Sequence, residues 1–360
     1  MHILVTGNMG YIGPVVVNHL RSCMPTAVLS GLDTGYFSSS TTGDGSPERW
    51  LSVQHFLDVR DVPDHVLEGV DAVVHLAGVS NDPIGNRFEE VTLAINHQAS
   101  IRLAQQAREH GVRSFVFASS CSLYGAGQDG PCKETSPLNP LTAYARSKAY
   151  TERDLRPLAR EGFRVTCLRF ATACGMSPRL RLDLVLNDFV AAAVTSRKIR
   201  ILSDGSPWRP LINVKDMARA IEWAIGRSEA NGGPFLAINV GRNDWNYQVK
   251  DLARAVANAL PGVEVSTNPD AQPDKRSYQV SFGLFEQLAP DHQPMRDLAS
   301  TIRELTEGLE ALRFADADFH NSELIRLVVL DRLCARGLLD DRLKWIPPNA
   351  VDPSKRRRTE

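Results

Sequence analysis

The sequence predicts an α/β protein built on a doubly wound parallel sheet, followed by a smaller C-terminal lobe. Three observations support this fold class. Short apolar runs alternate with stretches of helical periodicity through the first half of the chain, which is typical of a parallel sheet covered on both faces. A glycine-rich turn follows the first apolar run. Beyond about residue 176 the alternation weakens and prolines separate shorter segments, which indicates a second unit.

The first half of the chain contains six predicted strands and three predicted helices. The strands are near-continuous apolar runs, as is typical of strands buried on both faces, and they cover residues 2–6, 27–32, 53–56, 72–76, 114–119 and 164–169. The helices repeat apolar residues at a period near 3.6 and cover residues 12–21, 88–109 and 144–156. Pro157 is expected to end or kink the last of them, because proline cannot donate to the helical ladder.

The second half contains further predicted elements. Helical patterns cover residues 184–195, 214–227, 247–260, 295–314 and 321–336, and one strand covers residues 236–240. We therefore predict a first domain over residues 1–176, onto which residues 211–240 are threaded back. Residues 177–210 and 241–336 form the smaller lobe and the terminal helices, and residues 337–360 form a tail whose end is expected to be disordered. The sequence does not assign a role to the helix over residues 321–336.

The bulk composition argues against two classes of partner. A formal net charge of -1 gives no electrostatic reason to bind nucleic acid or an anionic membrane. The basic residues 355–358 are more typical of a solubilising terminus than of a nucleic-acid site. The N-terminal residues lack the basic and apolar stretches of a signal peptide, and no apolar run reaches the ~20 residues of a membrane span.

Cysteine and histidine usage predicts a cytoplasmic protein without a metal site. The six cysteines show no C-x-x-C spacing, so reduced thiols in the cytoplasm are expected. The nine histidines form no H-x-x-x-H pair, and the sequence therefore predicts no metal ligands.

The glycine-rich turn directly follows the first predicted strand and opens the first helix. Its three glycines, Gly7, Gly10 and Gly13, have the spacing G-x-x-G-x-x-G. The first permits a tight turn, the second lets the backbone approach a pyrophosphate, and the third allows close packing of the helix on the sheet. The amino-terminal end of the helix favours an anion. This turn, with Tyr11 and Ile12 inside it, therefore predicts a Rossmann-type dinucleotide site.

Residues at the ends of the following strands complete the predicted cofactor site. Asp33 ends the second strand, 26 residues after Gly7, where a carboxylate can accept hydrogen bonds from the adenosine ribose. It would repel a 2′-phosphate, so NAD is favoured over NADP. The other predicted cofactor contacts from the strand ends are Asp58, Val59, Leu76, Ala77 and Gly78.

The chemistry is predicted at a tyrosine and a lysine that lie four residues apart on a helix. Tyr144 and Lys148 share one helical face at this spacing. An ammonium beside a phenol favours the phenolate and is expected to lower the phenol pKa from about 10. Tyr144 could then take a proton from a sugar or alcohol hydroxyl. Ser120 lies in a polar cluster at the end of the fifth strand, where its hydroxyl could hydrogen-bond the reacting oxygen.

In chain order, the glycine turn, Asp33, the serine cluster and the Tyr144–Lys148 pair resemble the extended short-chain dehydrogenase/reductase family. The similarity is to its NAD-dependent nucleotide-sugar epimerases and dehydratases, and it covers roughly residues 1–315. It implies that Ser120, Tyr144 and Lys148 are the catalytic hydroxyl, the catalytic base and the base-activating residue. It also implies NAD as the cofactor and a nucleotide sugar as the substrate.

The resemblance implies further site residues. Asn96 matches an asparagine that the family uses near the active site, and it is expected to contact the cofactor. Arg276 resembles the family's diphosphate-binding arginine, whose planar fork suits phosphate oxygens. The substrate-binding residues implied by the resemblance are Ser120, Cys121, Ser122, Tyr144, Thr172, Arg209 and Arg276.

Three departures from the family pattern bear on the reaction. Family 4,6-dehydratases usually carry Asp-Glu just after the catalytic hydroxyl residue, whereas this chain has Cys121 and Ser122, which disfavours dehydration. Thr172 stands nearest to a position where many relatives have an asparagine, and Asn213 replaces a common histidine. The last two departures leave the identity of the sugar open.

The sequence-based hypothesis is a nucleotide-sugar epimerase that inverts C4 through a transient 4-keto sugar, with hydride transfer to and from NAD. The alternatives inside the fold are a 4-ketoreductase, a dehydratase and a decarboxylase. A non-catalytic dinucleotide sensor is the alternative of another class. The resemblance implies a homodimer formed through the helices over residues 88–109 and 144–156.

Overall fold

The computed structural model describes residues 1–43, 46–80, 82–127, 130–268, 271 and 276–347. The basic residues 355–358 and the end of the predicted tail lie outside this part of the chain. Its strands are β1 (His2–Thr6), β2 (Val28–Asp33), β3 (Val53–Phe56), β4 (Ala72–His75), β5 (Ser114–Ser120), β6 (Arg164–Phe170), β7 (Thr172–Cys174), β8 (Lys198–Ile201), β9 (Trp208–Asn213), β10 (Phe235–Val240), β11 (Asn246–Gln248) and β12 (Glu264–Thr267).

The α-helices flank these strands. They are α1 (Gly13–Cys23), α2 (Asp82–Arg87), α3 (Glu89–Leu93), α4 (Ser100–Glu109), α5 (Ala143–Leu155), α6 (Val185–Ser196), α7 (Val214–Gly226), α8 (Val249–Ala259), α9 (Gly283–Leu288), α10 (Leu298–Ala311) and α11 (Arg326–Ala335). Among the described residues, no helix has the length and apolar character needed to cross a membrane.

Seven parallel strands form the central sheet, in the order β10-β6-β5-β4-β1-β2-β3. The doubly wound α/β fold predicted from the sequence is therefore confirmed. β1 lies between β2 and β4, and the strand order reverses at this point. In sheets of this kind ligands bind at the carboxyl ends of the strands beside the reversal.

Alternate residues of the central strands supply two separate cores. Ile3 and Val5 pack in the cluster on one face of the sheet, whereas Leu4 packs in the cluster on the other. This follows from the two-residue period of a strand. Because both faces are covered, the strands read as unbroken apolar runs in the sequence, and this explains why their positions were predictable.

The long helix predicted over residues 88–109 exists, but it contains a π-helical segment. The segment covers Ala94–Ala99 between α3 and α4. The carbonyl of Asn96 accepts hydrogen bonds from the hydroxyls of Ser100 (2.6 Å) and Thr151 (2.9 Å). The wider π-helical turn changes the backbone hydrogen bond that this carbonyl would accept in a regular α-helix. The two side-chain hydroxyls donate to it as well.

Residues beyond the sixth strand form two small sheets and also return to the central sheet. The sheets contain β11-β9-β7 and β12-β8. The sequence analysis missed β7, β8, β11 and β12 because three or four residues are too few to show a period. α7 packs beside the central strands and β10 pairs with β6. The domain boundaries at residues 176, 211 and 240 stay a prediction.

The last described helix starts later than predicted. α11 begins at Arg326, because residues 319–321 form a 3-10 turn and Ser322 follows in an extended conformation. The prediction of a helix from residue 321 was therefore wrong by about one turn. Beyond α11, Leu339 and Trp345 pair in an isolated antiparallel bridge.

Candidate active site

A cavity of about 880 Å³ opens at the carboxyl ends of β1, β2, β4 and β5. Most of the residues predicted for the cofactor and substrate line it. From the predicted set these are Gly7, Gly10, Tyr11, Ile12, Asp33, Asp58, Val59, Leu76, Ala77, Gly78, Ser120, Ser122, Tyr144, Lys148, Thr172, Arg209 and Arg276. The structure thus brings together residues that lie up to 269 positions apart, from Gly7 to Arg276.

The glycine turn packs so closely against neighbouring backbone that a side chain at Gly7 or Gly13 would not fit. Gly7 has φ +72°, and a Cβ there would lie 2.6 Å from the backbone nitrogen of Ala77. Gly13 does not line the cavity. Its Cβ would lie 2.4 Å from the Cα of Asn8, which agrees with the predicted packing role at the start of α1. The amino-terminal end of α1 therefore approaches the cavity through a backbone cradle suited to an anion.

Asp33 holds the loops at the end of the cavity that is predicted to take the adenosine. One carboxylate oxygen accepts a hydrogen bond from the backbone N–H of Met9 (3.0 Å) and the other accepts one from Gly35 (2.8 Å). Burial raises the Asp33 pKa, while these two backbone donors lower it. Each carboxylate oxygen has further acceptor capacity, so Asp33 can also accept from a ribose hydroxyl.

Asp58 faces the same end of the cavity but already has a partner. Its carboxylate pairs with the guanidinium of Arg60 at 2.5 Å. Arg60 also donates to the carbonyl of Arg342 at 2.7 Å. The sequence analysis did not include this arginine, which links the adenine side of the cavity to the C-terminal segment.

Ser120, Tyr144 and Lys148 meet at the opposite end of the cavity. Ser120 ends β5, and its hydroxyl accepts a hydrogen bond from the backbone N–H of Ser122 (3.1 Å). The same hydroxyl acts to lower the pKa of the Tyr144 phenol. The hydroxyl of Thr142 accepts a hydrogen bond from the N–H of Ala145 and so caps α5. The ammonium of Lys148 lies 5.7 Å from the centre of the Tyr144 ring and donates to the carbonyl of Ala118 at 2.7 Å.

The ionisation of this pair differs from the sequence-based expectation. Burial raises the pKa of Tyr144 to about 12, although the Ser120 hydrogen bond and the charge of Arg181 lower it. Burial lowers the pKa of Lys148 to about 8. A lowered phenol pKa was predicted from the Lys148 charge alone, and this was wrong because desolvation opposes ionisation of both groups.

The end of the cavity predicted to take the substrate carries one buried hydroxyl without a hydrogen-bond partner among the described residues, and two arginines. The hydroxyl oxygen of Ser122 is buried and has no hydrogen-bond partner among the described residues. Arg276 pairs with Asp82 at 2.7 Å, and the guanidinium of Arg209 donates to the carbonyl of Arg276. The two arginines therefore lie together at the cavity, and their role in binding the substrate stays a prediction.

Two predicted site residues are turned away from the cavity. The Cys121 side chain is buried and its thiol donates to the carbonyl of Arg169 at 3.1 Å, because the residue after Ser120 points to the opposite side of the chain. The Asn96 amide is also buried. It accepts from the N–H of Val79 (2.7 Å) and donates to the Ser147 hydroxyl (3.0 Å). Asn96 thus ties the loop after β4 to α5, and it has no side-chain atom free for a cofactor.

A buried ion pair lies beside the serines that end β5. Arg169 and Glu152 are about 5% exposed and approach to 2.6 Å. Glu152 also accepts a hydrogen bond from Ser119 at 2.5 Å, and Arg169 donates to the hydroxyl of Tyr124 at 3.1 Å. This network fixes the ends of β5 and β6 and so positions Ser120, and of its members only Ser119 lines the cavity.

The sequence analysis missed three arginines that line the cavity, the exposed Arg200 and the buried Arg181 and Arg326. Arg181 is 6% exposed, donates to Ser80 (3.1 Å) and pairs with Asp183 (2.9 Å). Arg326, on α11, is 1% exposed. Its Nη2 donates to the carbonyl of Arg179 (2.7 Å), but its Nη1 is buried without a hydrogen-bond partner among the described residues. No local motif marks these positions, since long-range packing alone brings them to the cavity.

These features fit a dinucleotide. The cradle at Gly7 admits backbone approach to phosphate, Asp33 retains acceptor capacity, and Arg326, whose buried Nη1 has no hydrogen-bond partner among the described residues, is one of the residues that line the cavity. A buried guanidinium with one unsatisfied nitrogen is costly and suits an anionic ligand. The chain's own residues therefore match a bound NAD.

Comparison with known proteins agrees with this assignment. The model of the NAD-dependent epimerase/dehydratase family matches residues 3–241. An uncharacterised UDP-glucose epimerase of Bacillus subtilis (strain 168) is 31% identical over 251 residues, 67% of this chain and 77% of that protein. The dTDP-glucose 4,6-dehydratase of Streptomyces griseus is 30% identical over 317 residues, 84% of this chain and 93% of that protein.

The fold is shared with a solved structure. UDP-glucose 4-epimerase with UDP-glucose, from Thermotoga maritima, superposes with a TM-score of 0.74 at 23% identity, and the match covers 86% of this chain and 99% of that one. The chain belongs to the NAD-dependent epimerase/dehydratase family. The resemblance to the extended short-chain dehydrogenases/reductases is thereby confirmed.

Proposed function

We propose that this member of the NAD-dependent epimerase/dehydratase family is a nucleotide-sugar epimerase that inverts C4 through a transient 4-keto sugar. One observation supports it above the others. Ser120, Tyr144 and Lys148 line the same cavity as the glycine turn and Asp33. A hydroxyl carbon held at the chemical end of this cavity lies within reach of both a proton acceptor and a dinucleotide.

When bound, NAD supplies the hydride acceptor and donor of the reaction. Tyr144 accepts the proton of the reacting hydroxyl, and Ser120 hydrogen-bonds the same oxygen as charge develops on it. While the amine of Lys148 is protonated, it places a positive charge close to the phenol of Tyr144. Because the protein alone raises the Tyr144 pKa to about 12, the base depends on a further positive charge beside it to become competent near neutral pH.

Arg209 and Arg276 support a substrate that carries a nucleotide diphosphate group, which the two arginines would bind. Both line the cavity beyond Ser122, and arginine forks match phosphate oxygens. The names of the two relatives, a UDP-glucose epimerase and a dTDP-glucose dehydratase, favour a UDP- or dTDP-linked hexose. Dehydration is less well supported, because Cys121 is buried and Ser122 has no ionisable group at neutral pH.

Product analysis tests the proposal. The purified protein is incubated with UDP-, dTDP-, GDP-, CDP- and ADP-sugars, and the products are identified by NMR and mass spectrometry. We expect a C4 epimer of unchanged mass and no net change in nicotinamide absorbance. Loss of 18 mass units would indicate a dehydratase, and stoichiometric NADH consumption would indicate a ketoreductase; either result contradicts the proposal.

We also propose a cytoplasmic homodimer. All six cysteines are free thiols, which suits a reducing compartment. Tyr150 on α5 is 37% exposed and lies on the pair of helices implied for the dimer, next to His97. Light scattering after gel filtration tests this, with Tyr150→Glu expected to shift the mass to that of one chain. A monomeric parent protein would contradict it.

A further inference from the structure

A cluster of metal-ligating side chains lies outside the cavity, between α1 and α7. His19 and Cys23 are four residues apart and share one face of α1 near its C-terminal end. Glu222 faces them from α7, and its carboxylate lies 2.7 Å from the Nε2 of His19. The ligand atoms of His19, Cys23 and Glu222 all lie within 4.8 Å of one another. None of the three lines the active-site cavity.

A second histidine approaches the same carboxylate from a third element. The Nε2 of His292 lies 4.0 Å from the Glu222 oxygen that His19 contacts. His292 belongs to a short 3-10 turn, Pro290–His292. This turn is held against α7, because Arg219 donates to the carbonyl of Asp291 at 2.8 Å. Three ligand atoms thus lie within 4.8 Å of one another, and His292 approaches this group from the side of Glu222 and would have to turn inwards to become a fourth ligand.

We propose that His19, Cys23, Glu222 and His292 bind a divalent transition-metal ion of the zinc type. Imidazole, thiolate and carboxylate groups are the usual protein ligands of zinc, which prefers four of them in a tetrahedron. With metal–ligand bonds of about 2.0–2.3 Å, neighbouring ligand atoms of a tetrahedron stand about 3.3–3.8 Å apart. His19 and Glu222 now lie 2.7 Å apart, and His292 and Glu222 lie 4.0 Å apart, so a bound ion requires side-chain rotations that bring all four ligand atoms into this range.

The protonation of the cluster is consistent with this chemistry. Burial and the neighbouring Glu222 carboxylate raise the pKa of the Cys23 thiol to about 11, so without metal the thiol keeps its proton. A metal ion displaces this proton and takes the thiolate as its ligand. The side chain of Cys23 is exposed, which gives an ion a path to the cluster.

The position of the site assigns it a structural role. α1 begins at Gly13 directly after the dinucleotide turn, whereas the cluster lies at its other end. A metal ion there would fasten α1 to α7 and to the turn at His292. It would contact neither substrate nor cofactor, so we expect it to raise the stability of the protein with little effect on the chemical step.

Cobalt titration tests the site directly. The full-length protein is treated with EDTA, freed of chelator and titrated with Co²⁺. We expect a thiolate-to-cobalt charge-transfer band and the visible bands of tetrahedral Co²⁺, both saturating at one ion per chain. Added Zn²⁺ should remove the bands and raise the melting temperature of the protein.

Matched variants identify the ligands. Cys23→Ser should abolish the charge-transfer band, whereas Cys334→Ser, which removes another partly exposed thiol, should leave it unchanged. His19→Gln and Glu222→Gln should each weaken Co²⁺ binding by more than about 100-fold, since even a supporting residue of a metal ligand is worth about 10–100-fold. His292→Gln should also weaken binding and change the visible bands.

Three outcomes would overturn the proposal. The first is the absence of saturable cobalt bands in the parent protein, which would leave His19 and Glu222 as an ordinary ion pair between helices. The second is a charge-transfer band that survives Cys23→Ser. The third is cobalt binding in His292→Gln equal to that of the parent, which would refute the four-residue site. Cys23→Ser changes an exposed side chain, so its folding provides a baseline for the melting measurements.

Discussion

At the scale of single residues, Tyr144 shows two opposing physical effects on one phenol. Desolvation raises its pKa to about 12, while the Ser120 hydrogen bond and Arg181 act in the other direction. Burial lowers the pKa of Lys148 to about 8. Its ammonium donates to the Ala118 carbonyl and also lies near the phenol ring. The proton-transfer chemistry of the site therefore depends on what is bound beside these side chains.

Tyr144→Phe removes the proposed base and leaves the shape of the cavity nearly unchanged. We expect kcat for epimerisation to fall by about 10²–10⁴-fold, the usual contribution of a positioned acid–base group, while NAD still binds. Turnover and NAD titration measure the two effects. Tyr150→Phe on the same helix, where the side chain is 37% exposed, is the control and should keep its activity. Near-normal turnover in Tyr144→Phe would contradict the assigned role.

His75 at the end of β4 sets part of the acid sensitivity of the fold. Its ring is fully buried between the hydroxyls of Thr6 and Ser100, each at 2.7 Å. Burial lowers its pKa from 6.5 to about 3, so the folded state holds it neutral. Between these values the unfolded chain binds one more proton than the folded chain, and stability therefore falls as the pH drops from 6.5 towards 3.

The His75 contribution is measurable as a slope. In this window the free energy of unfolding should fall by up to about 1.4 kcal/mol per pH unit from this residue. Urea unfolding of the parent and of His75→Gln at several pH values gives the two slopes, and we expect the parent slope to be steeper. Equal slopes would mean that His75 titrates alike in both states.

At the scale of elements, α11 lies beyond the family-matched residues 3–241 and brings a further charged side chain to the cavity. Arg326 reaches the cavity with one bonded nitrogen and one unpartnered nitrogen, and its guanidinium lies 4.7 Å from the centre of the Phe37 ring. Burial and the nearby Arg181 lower its pKa to about 9. An anion bound in the cavity would offset the cost of this buried charge.

Arg326→Met separates binding from stability. We expect NAD affinity to fall by about 10–100-fold, the value of a hydrogen bond to a charged group. In the absence of NAD the free energy of unfolding should stay the same or rise, because an uncompensated buried charge is removed. Calorimetric NAD titration and urea unfolding measure the two quantities. Arg332→Met changes an exposed arginine of the same helix and should alter neither; unchanged NAD affinity in Arg326→Met would refute the contact.

At the scale of the whole molecule, the C-terminal segment closes the adenosine end of the cavity. The indole N–H of Trp345 donates to the carbonyl of Thr34 at 2.7 Å, and Lys344 pairs with Asp61 at 2.8 Å. The hydroxyl of Tyr36 donates to the carbonyl of Leu343, whose side chain lines the cavity. These contacts join the end of the chain to the loops after β2 and β3.

Shortening the chain tests this closure. A protein ending at Arg336 loses the contacts to Tyr36, Asp61 and Thr34, and we expect NAD to dissociate faster by about tenfold, equivalent to 1.4 kcal/mol. A protein ending at Pro347 keeps them and serves as the control. NAD retained through gel filtration, measured by absorbance, compares the two. Equal retention would show that the segment does not hold the cofactor in place.

The central sheet and most of the cofactor site follow from the sequence because their signals are local. A strand buried on both faces is an apolar run, Gly7 marks a turn that a Cβ would block, and the Tyr144–Lys148 spacing is set by the helical repeat. In each case the residues that define the feature are neighbours in the chain. Their identity and spacing therefore carry the information.

Only the tertiary structure decides which side chains reach the cavity and how they ionise. Cys121 and Asn96 match family positions, yet both face the protein interior. Arg326 has no local motif and arrives in the cavity through the packing of α11. Likewise the cluster at Glu222 joins elements about 200 positions apart. Desolvation and long-range contacts fix these properties, and both depend on how distant segments meet in space.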